Sequence, residues 1–357
     1  MIWKGENMKV VVAMSGGVDS AVTAWMLKER GYEVVGVHFK TELDDFFLKY
    51  KLTHKVCCSP DDTNDAKRVA KRLGIELHVL DLHQQFEREV IRDFIKGYQL
   101  GLTPNPCVRC NRKIKFFYLR KFAQHIGASF WATGHYARIK DGKISIAKDE
   151  KKDQSYFLAL VQREILKGLL LPIGDYRKEE VRVLAKENDL VVSSKPDSQD
   201  VCFIPDGDMK SFFEKTKTPP REGLIVDTKG NVLGKHKGYQ LYTIGQRKGL
   251  NLAVGERVYV VDILADKNIV VVGKREELYT QSVKIGQVNL QVDLPEEMDC
   301  ECKVRSTAQR VPCHVKFKGE KGVVEFSKKV LAVPGQLLAL YEGEYLLGGG
   351  IMLKSHE

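Results

Sequence analysis

The fold is decided by Val10-Val11-Val12-Ala13-Met14-Ser15-Gly16-Gly17-Val18-Asp19-Ser20, a short apolar run that leads through a glycine-rich turn into a helical stretch. In such a turn backbone amides converge at a helix N-terminus, whose partial positive charge favours phosphate. The two glycines permit close backbone approach, Ser15 and Ser20 can donate hydroxyls, and Asp19 can hold a magnesium ion. Neither the Walker loop nor the dinucleotide fingerprint has this pattern. We therefore predict a phosphate-binding loop of another kind.

The first third of the chain alternates β-rich apolar runs with helical stretches, which is typical of a parallel sheet covered by helices on both faces. Predicted strands lie at residues 10–13, 33–37, 76–80 and 130–133, and predicted helices near residues 20–30, 63–73, 84–100 and 115–126. In the last helix Ile114, Tyr118, Phe122 and Ile126 recur every four residues and are expected to face the sheet. Residues 41–55 break the rhythm and are expected to form a loop over the nucleotide. The sequence predicts a doubly wound α/β domain.

The rest of the chain changes character. Further helices are expected near residues 178–188 and 208–215, with an irregular loop at 196–205 between them. Beyond Pro219-Pro220, glycines punctuate short runs rich in Val, Leu and Tyr, such as residues 258–261, 314–318 and 324–327. We predict a nucleotide-binding catalytic domain at 1–215, a small β-rich linker domain at 216–282 and a C-terminal β-barrel at 283–357.

Composition fits a cytoplasmic globular protein. The 357 residues are 43% hydrophobic, yet no apolar run reaches the roughly 18 residues of a membrane span. Residues 1–7 lack the apolar core of a secretory signal. A net charge of +10 favours a polyanionic partner without establishing one. The eight cysteines are too sparse for a secreted disulfide scaffold, so any clustered pair indicates metal binding or catalysis.

The motif Ser15-Gly16-Gly17-Val18-Asp19-Ser20, following an N-terminal strand, resembles the PP-loop ATP pyrophosphatases. The resemblance implies that ATP is cleaved at its α-phosphate to form an adenylate, with Asp19 and Mg²⁺ orienting the phosphates. Phe39 stands where the family often has a methionine whose backbone contacts adenine, and Gly134 lies at the carboxyl edge of the sheet. The implied ATP contacts are Ala13, Met14, Ser15, Gly16, Gly17, Val18, Asp19, Ser20, Phe39 and Gly134.

Within that family the chain is similar to the tRNA-specific 2-thiouridylases over nearly its whole length. The segments that carry the likeness are Thr103-Pro104-Asn105-Pro106-Cys107-Val108-Arg109-Cys110-Asn111, Thr133-Gly134-His135-Tyr136-Ala137-Arg138, Lys152-Asp153-Gln154-Ser155-Tyr156, Ser198-Gln199-Asp200-Val201-Cys202-Phe203-Ile204 and Tyr242-Thr243-Ile244-Gly245-Gln246-Arg247-Lys248-Gly249. The resemblance implies that sulfur replaces the C2 oxygen of the wobble uridine. This chemistry needs a leaving group, supplied by adenylation, and a sulfur nucleophile, supplied by a cysteine persulfide.

Residue roles follow from the same resemblance. Cys202 is expected to carry the persulfide and Cys110 to be its catalytic partner. Asn105, Pro106 and Cys107 are expected beside the flipped target base. Further tRNA contacts are expected at Lys152, Asp153 and Gln154, and at Arg305 and Ser306, where the family usually has Arg-Tyr-Arg and part of the motif is altered. The expected partners are tRNA and a sulfur-donor protein or persulfide relay, with no membrane, and the chain is expected to be a monomer or weak dimer.

Cys107 departs from the commonest family pattern and leaves the sulfur chemistry open. Together with Cys110 it forms a Cys-x-x-Cys pair, and Cys202 would make a third thiolate for a [4Fe–4S] cluster. A plain persulfide and disulfide cycle, with Cys107 as a bystander, explains the same residues. Zinc is the weaker option because a structural zinc site leaves no thiol for chemistry.

Two other functional classes compete with thiolation. Another PP-loop enzyme could adenylate a small molecule and transfer nitrogen, but such synthetases need no paired cysteines. A non-catalytic tRNA-binding or sulfur-carrier protein is the other class, and the intact loop with Asp19 and Ser20 argues against it. The sequence therefore favours a tRNA-uridine 2-sulfurtransferase.

Overall fold

The structure is a computed structural model that describes residues 8–41, 60–195, 201–204, 207–216 and 218–354. Its strands are β1 (Lys9–Ala13), β2 (Glu33–Lys40), β3 (Glu76–Asp81), β4 (Phe130–Ala132), β5 (Ala137–Lys140), β6 (Lys143–Ile146), β7 (Leu169–Leu170), β8 (Gly223–Asp227), β9 (Val232–His236), β10 (Tyr259–Leu264), β11 (Ile269–Gly273), β12 (Thr280–Leu290), β13 (Glu297–Lys303), β14 (Val311–Lys318), β15 (Lys321–Val330), β16 (Leu337–Glu342) and β17 (Tyr345–Met352). Its helices are α1 (Val18–Glu29), α2 (Pro60–Leu73), α3 (His83–Phe86), α4 (Arg92–Gln99), α5 (Pro106–Cys110), α6 (Phe116–His125), α7 (Arg163–Leu166), α8 (Lys178–Glu187) and α9 (Met209–Glu214). Two π-helical turns, Glu87–Ile91 and Asn111–Lys115, join α3 to α4 and α5 to α6.

A parallel sheet lies beneath the phosphate loop, with the strand order β3-β2-β1-β4-β7. The central strand β1 pairs in parallel with β2 on one side and β4 on the other. Its side chains alternate between two separate cores: Val11 packs in the cluster that contains α6, whereas Val10 and Val12 pack in the cluster that contains α1 and α2. Burial on both faces explains why the strand reads as a continuous valine run. The predicted doubly wound α/β fold is confirmed.

The buried face predicted for α6 differs from the one in the structure. Ile114 is fully buried as expected, but Tyr118, Phe122 and Ile126 are only partly buried at the edge of the cluster. The fully buried residues of α6 are Phe116, Leu119 and Ala123. Residues spaced by four do not stay on one face, because an α-helix has 3.6 residues per turn. The π-helical turn Asn111–Lys115 further shifts Ile114 relative to the residues of α6.

The second half of the chain forms two further β structures, as predicted. Strands β8 to β11 make a four-stranded sheet in the order β10-β11-β8-β9, with Ile225, Val260 and Val270 fully buried. Strands β12 to β17 follow the order β12-β15-β14-β13-β16-β17, and pairing of β12 with β17 closes them into a six-stranded barrel. Strand β15 alternates buried and exposed residues over most of its length, which is typical of a strand with one face in a core.

A hairpin that the sequence did not predict joins the first domain to the barrel. Strands β5 and β6 pair with each other, and β6 continues the barrel sheet through the pair Ser145 and Tyr345 on β17. The Arg138 and Lys140 side chains on β5 both bind the Glu344 carboxylate, at 2.8 Å. The barrel therefore contacts the α/β domain through a shared sheet edge.

Two amide side chains of the barrel also donate hydrogen bonds to a loop of the α/β domain, residues 158–161. The Asn289 Nδ2 group donates to the carbonyls of Ala159 and Val161, at 2.9 and 3.0 Å. The buried Gln291 Nε2 group donates to the carbonyl of Leu158 at 2.7 Å. The loop that follows the Lys152–Tyr156 motif is thus shaped by residues far along the chain.

Some expectations fall outside the described residues. They are the loop at 41–55 apart from Thr41, and residues 196–200 and 205 of the loop before α9. Within the part of the chain that the structure describes, no helix is long and apolar enough to cross a membrane.

Candidate active site

The phosphate loop, residues 15–20, has a folded shape that its own serines maintain. The Ser15 backbone amide donates to Ser20 Oγ at 3.2 Å, and Ser20 Oγ donates to the Gly17 carbonyl at 3.0 Å. The Met14 amide bonds to the Val37 carbonyl at 2.8 Å, which ties the start of the loop to β2. Gly17 caps α1 in an extended conformation. Loop and helix N-terminus together form a concave backbone surface suited to an anion.

Gly16 is the tightest point of the loop. Its φ is +74°, and a Cβ there would lie 2.3 Å from the Asp62 carbonyl oxygen in the first turn of α2. The Lys195 ammonium holds this arrangement together by donating to the Gly16 carbonyl at 3.1 Å and to the carboxylates of Asp62 and Asp65, both at 2.6 Å. Partial burial acts to lower the pKa of Lys195, but its bonds to the two carboxylates raise it above the usual value. Lys195 could not be predicted as part of this loop, since its partners lie more than a hundred residues earlier in the chain.

Replacing Gly16 with alanine is expected to weaken ATP binding at least tenfold and to lower the free energy of unfolding by roughly 1–3 kcal/mol, because the new Cβ needs both a positive φ and the space of the Asp62 backbone. Isothermal titration with ATP and urea unfolding measure the two effects. Gly142→Ala is the matched control: Gly142 has a φ of +72° with nothing within 4 Å of its Cβ position. The control should retain ATP affinity, and equal losses in both variants would contradict the steric argument.

Gly134 closes the loop from the side of β4. A Cβ at Gly134 would lie 2.8 Å from both the Asp19 carbonyl carbon and the Ser20 amide nitrogen. Only a glycine lets this chain segment touch the start of α1 so closely. Phe39, near the end of β2, is buried in the sheet core, so an adenine contact there would use its backbone.

Asp19 lies at the start of α1 and has two partners that the sequence did not predict. The Tyr136 hydroxyl donates to its Oδ1 at 2.8 Å, and the Lys178 ammonium donates to Oδ1 and Oδ2 at 2.7 and 2.9 Å. The Lys178 side chain is only 7% exposed, and its Nζ lies 5.5 Å from the centre of the Tyr136 ring. Lys178 begins α8 as part of Lys178-Glu179-Glu180, which reads as an ordinary charged helix start.

Two histidines support the same region in their neutral form. His38, fully buried on β2, makes a 2.7 Å hydrogen bond between Nδ1 and the Met14 carbonyl, and burial lowers its pKa. His135 Nδ1 lies 2.8 Å from Thr133 Oγ1, and its ring lies 5.4 Å from that of Phe116. Burial, assisted by the charge of Lys115, lowers the pKa of His135 to about 3. Both imidazoles therefore contribute structure rather than proton transfer at neutral pH.

The stability of the protein is expected to fall below pH 6.5 partly because of His135. In the unfolded chain this imidazole binds a proton near pH 6.5, whereas in the fold it stays neutral down to about pH 3, so acid favours the unfolded state across this window. Between pH 7 and 5 the contribution is about 1–2 kcal/mol. Urea unfolding of the wild type and of His135→Asn at both pH values measures it. The variant should lose less stability than the wild type; parallel losses would refute the assignment.

Cys110 and Cys202 lie on one hydrophobic cluster. Cys110, at the end of α5, is buried in it, and Cys202 packs against it from a segment anchored by Phe203. The Phe203 ring lies 5.1 Å from that of Phe94 and 5.7 Å from that of Phe212. Residues 196–200, just before this segment, are outside the described ranges. The structure brings both predicted sulfur-transfer cysteines to the same core.

The Asn105-Pro106 pair has a clear local role. The Asn105 side chain caps α5 by accepting from the Val108 amide at 3.3 Å, and Pro106 occupies the first turn. Cys107 follows in an exposed position. This cap fixes the start of the short helix that carries Cys110.

The described residues do not fit the iron–sulfur hypothesis. Among residues 8–41, 60–195, 201–204, 207–216 and 218–354, no three His, Cys, Asp or Glu side chains are arranged to hold a metal ion. Cys107, Cys110 and Cys202 are all among these residues, so the three-thiolate set that the sequence suggested is not formed here. This result concerns a metal site held by several side chains and does not bear on a single magnesium ion bound to the Asp19 carboxylate.

The residues expected to contact tRNA differ in their exposure. Lys152 is exposed, but Asp153 Oδ1 accepts from the amides of Ala147 and Ser155, at 3.0 and 3.2 Å. Gln154 Oε1 accepts from the Tyr136 amide at 2.9 Å. Arg305 is exposed and Ser306 half-buried in the turn after β13. Asp153 and Gln154 therefore shape their segment, while Lys152 and Arg305 present charge to solvent.

Comparison with known proteins agrees with this architecture. A family model described as the tRNA methyl transferase HUP domain matches residues 8–206, a tRNA methyl transferase PRC-barrel domain model matches 210–274, and an aminomethyltransferase β-barrel domain model matches 280–352. The tRNA-specific 2-thiouridylase MnmA of Thermotoga neapolitana is 46% identical, and that of Pseudothermotoga lettingae 44% identical, each alignment covering 97% of this chain and 99% of the relative. The enzyme of the same name from Clostridioides difficile is 43% identical over 98% of this chain and 99% of its own length. The chain belongs to the tRNA-specific 2-thiouridylase family.

Proposed function

We propose that this protein is a tRNA-uridine 2-sulfurtransferase. It uses ATP and Mg²⁺ to replace the C2 oxygen of the wobble uridine with sulfur, and it releases AMP and pyrophosphate. One observation carries the proposal. The chain is 43–46% identical to named 2-thiouridylases, and it contains both a phosphate loop and two cysteines that pack on a single hydrophobic cluster. A synthetase acting on a small molecule would not need that pair of thiols.

The loop suits the triphosphate of ATP. Gly16 and Gly134 let the loop pack directly against the backbone of Asp62 and of Asp19, where a side chain would collide. Asp19 offers a carboxylate, and Ser15 and Ser20 offer hydroxyls, which are the oxygen donors that magnesium prefers. The Lys178 ammonium holds both oxygens of the Asp19 carboxylate in this structure, so Mg²⁺ would share this carboxylate with it. When bound, Mg²⁺ would neutralise charge on the phosphates and on the departing pyrophosphate.

Adenylation comes first. The uridine O2 attacks the α-phosphorus of ATP, the bond to the β-phosphate oxygen breaks, and pyrophosphate leaves with the electron pair. The phosphate loop orients the α-phosphate, and the N-terminus of α1 stabilises the negative charge that develops there. The product is a uridine whose C2 carries AMP as a leaving group.

Sulfur transfer follows on the cysteine side. The terminal sulfur of a Cys202 persulfide attacks C2, the bond from C2 to oxygen breaks, and AMP departs. The Cys110 thiolate then attacks the Cys202 sulfur, the sulfur–sulfur bond to the tRNA breaks, and its electron pair stays on the 2-thiouridine. A Cys110–Cys202 disulfide remains, which an external thiol reductant must reduce. A persulfide-carrying donor protein then reloads Cys202.

tRNA binding in this proposal involves both the first domain and the C-terminal barrel. Asn105, Pro106 and Cys107 border the flipped base, Lys152 contacts the backbone, and Arg305 with Ser306 contributes from the barrel. We assign catalysis to residues 1–215, a linking role to 216–282 and tRNA binding to 283–357. The exposed charges of Lys152 and Arg305 support phosphate contacts.

The proposal is tested by incubating the protein with unmodified tRNA, ATP, Mg²⁺ and a persulfide donor, followed by nucleoside analysis. 2-Thiouridine should appear with ATP and be absent with an analogue that cannot be cleaved between its α- and β-phosphates. Absence of 2-thiouridine when all components are present would contradict the proposal. AMP formation from a small carboxylate without tRNA would favour a synthetase instead.

A further inference from the structure

A short turn, residues 148–154, is hydrogen-bonded to both partners of Asp19, Tyr136 and Lys178. It follows β6 and is internally bonded: the Lys152 amide donates to the Asp149 carbonyl at 3.0 Å, and the Lys151 amide donates to Asp149 Oδ1 at 3.2 Å. The side chains of Lys151 and Lys152 are exposed. The 148–154 turn thus presents three exposed lysines, Lys148, Lys151 and Lys152, beside one exposed carboxylate, Glu150, from a compact backbone.

The first connection to Asp19 runs through Tyr136. Gln154 and Tyr136 exchange two hydrogen bonds: the Tyr136 amide donates to Gln154 Oε1 at 2.9 Å, and the Gln154 amide donates to the Tyr136 carbonyl at 2.7 Å. The Tyr136 hydroxyl then donates to Asp19 Oδ1 at 2.8 Å. Gln154 therefore fixes the position of a residue that holds the carboxylate in the phosphate loop.

The second connection runs through Lys178. The Asp149 carboxylate accepts from the Lys178 backbone amide at 3.0 Å, which anchors the start of α8 to the 148–154 turn. The Lys178 ammonium then binds both oxygens of Asp19. The Lys148 ammonium adds a 3.2 Å contact to Glu180 in the same helix turn. Both partners of Asp19 are thus positioned by one segment.

The barrel holds the other side of the same turn. The Ser155 hydroxyl donates to Asp153 Oδ2 at 2.8 Å and lies 3.1 Å from the Tyr341 hydroxyl on β16. The Arg310 guanidinium lies 4.6 Å from the centre of the Tyr341 ring. A polyanion that binds the exposed lysines of the turn and the basic residues of the barrel would therefore contact a segment that is hydrogen-bonded to both partners of Asp19.

We propose that the 148–154 turn couples tRNA binding to the nucleotide site, and that Tyr136, Gln154 and Asp149 are positioning residues acting through Asp19. This inference rests on the proposed function. tRNA held against the turn fixes Tyr136 and Lys178, and they in turn fix the carboxylate that receives magnesium. Because coupling between two binding sites is reciprocal, ATP and tRNA raise each other's affinity by the same factor.

The test uses Tyr136→Phe, which removes the hydroxyl but keeps the ring beside Lys178. The measured quantity is the dissociation constant of an ATP analogue, uncleavable between its α- and β-phosphates, with and without saturating unmodified tRNA, and the converse for tRNA. In the wild type each ligand should tighten the other at least tenfold. In Tyr136→Phe this factor should fall to threefold or less, with tRNA affinity in the absence of nucleotide changed less than twofold.

Tyr345→Phe is the matched control, because the Tyr345 hydroxyl also donates to an aspartate, Asp141, at 3.0 Å, but outside this connection. It should keep the wild-type coupling factor. Asp149→Ala tests the second connection and should also reduce the factor, which guards against a folding defect peculiar to Tyr136→Phe. A wild-type factor retained in both Tyr136→Phe and Asp149→Ala would overturn the inference. So would a wild-type enzyme that forms 2-thiouridine but shows no mutual effect of the ligands, a result that leaves the proposed function standing.

Discussion

Replacing Cys202 with serine is expected to abolish 2-thiouridine formation, by at least 1,000-fold, while tRNA affinity stays within about twofold. A serine hydroxyl cannot carry a persulfide, so no sulfur nucleophile reaches the activated uridine. Serine is close in size to cysteine, and Cys202 is only partly buried, so the Phe203 anchor should be retained. Nucleoside analysis after incubation with ATP, tRNA and persulfide donor measures the loss. Pyrophosphate release should persist, because adenylation precedes the sulfur transfer in which AMP departs.

The two other thiols of the site serve as comparisons. Cys110→Ser should also lose 2-thiouridine formation under limiting donor, since no thiolate would resolve the link between tRNA and Cys202. Cys107→Ser should retain most activity, because Cys107 is exposed and the described thiols do not form a metal-holding group. Loss of activity together with loss of bound iron in Cys107→Ser would contradict the persulfide cycle. Normal thiolation by Cys202→Ser would remove its basis altogether.

Replacing Asp19 with asparagine is expected to reduce ATP-dependent AMP formation at least 1,000-fold. The amide keeps the shape of the carboxylate but loses the charge that attracts magnesium. It also leaves the Lys178 ammonium, 7% exposed, without its anion. Since Asp19 itself is 30% exposed, solvent screens part of that cost, and the free energy of unfolding should fall by only about 1–2 kcal/mol. Pyrophosphate release and urea unfolding are the two measurements.

The double variant Asp19→Asn/Lys178→Met separates the two effects. Removing the unpaired ammonium should restore much of the stability, because no charge is then left buried. It should not restore AMP formation, since the magnesium donor is still missing. Activity recovered by the double variant would mean that Asp19 serves only to neutralise Lys178.

The parallel sheet and its loop could be predicted because they have local signals. A strand buried on both faces must be apolar throughout, as Val10, Val11 and Val12 are, and a turn that brings backbone to phosphate needs Gly16. The prediction of the buried face of α6 was wrong because the π-helical turn before it has no signature in residue periodicity. The hairpin β5–β6 was missed, although Asp141-Gly142 between two short alternating runs is a hairpin signal.

The predictable part of the site stops where partners are distant in sequence. Asp19 could be chosen from its loop, but Lys178 lies 159 residues further along the chain and looks like a solvent-facing helix start. Tyr136 stands inside a motif that carries the family resemblance, yet only the structure gives its hydroxyl a partner. Asp153 and Gln154 were expected to face tRNA, and their hydrogen bonds to backbone amides became visible only in three dimensions.

The shared sheet edge between hairpin β5–β6 and the barrel constrains the order in which the protein can mature during synthesis. The phosphate loop, Cys110 and Cys202 all leave the ribosome before the barrel does. Strand β6 pairs with β5 on one side, but its partner on the other side is β17, and the Tyr156 hydroxyl bonds to the Leu337 carbonyl 181 residues later. Pairings between such remote segments form late in folding. An incomplete chain therefore carries the phosphate loop, Cys110 and Cys202 without the barrel strands that contact the α/β domain, so we expect these groups to be aligned only once the last strand is complete.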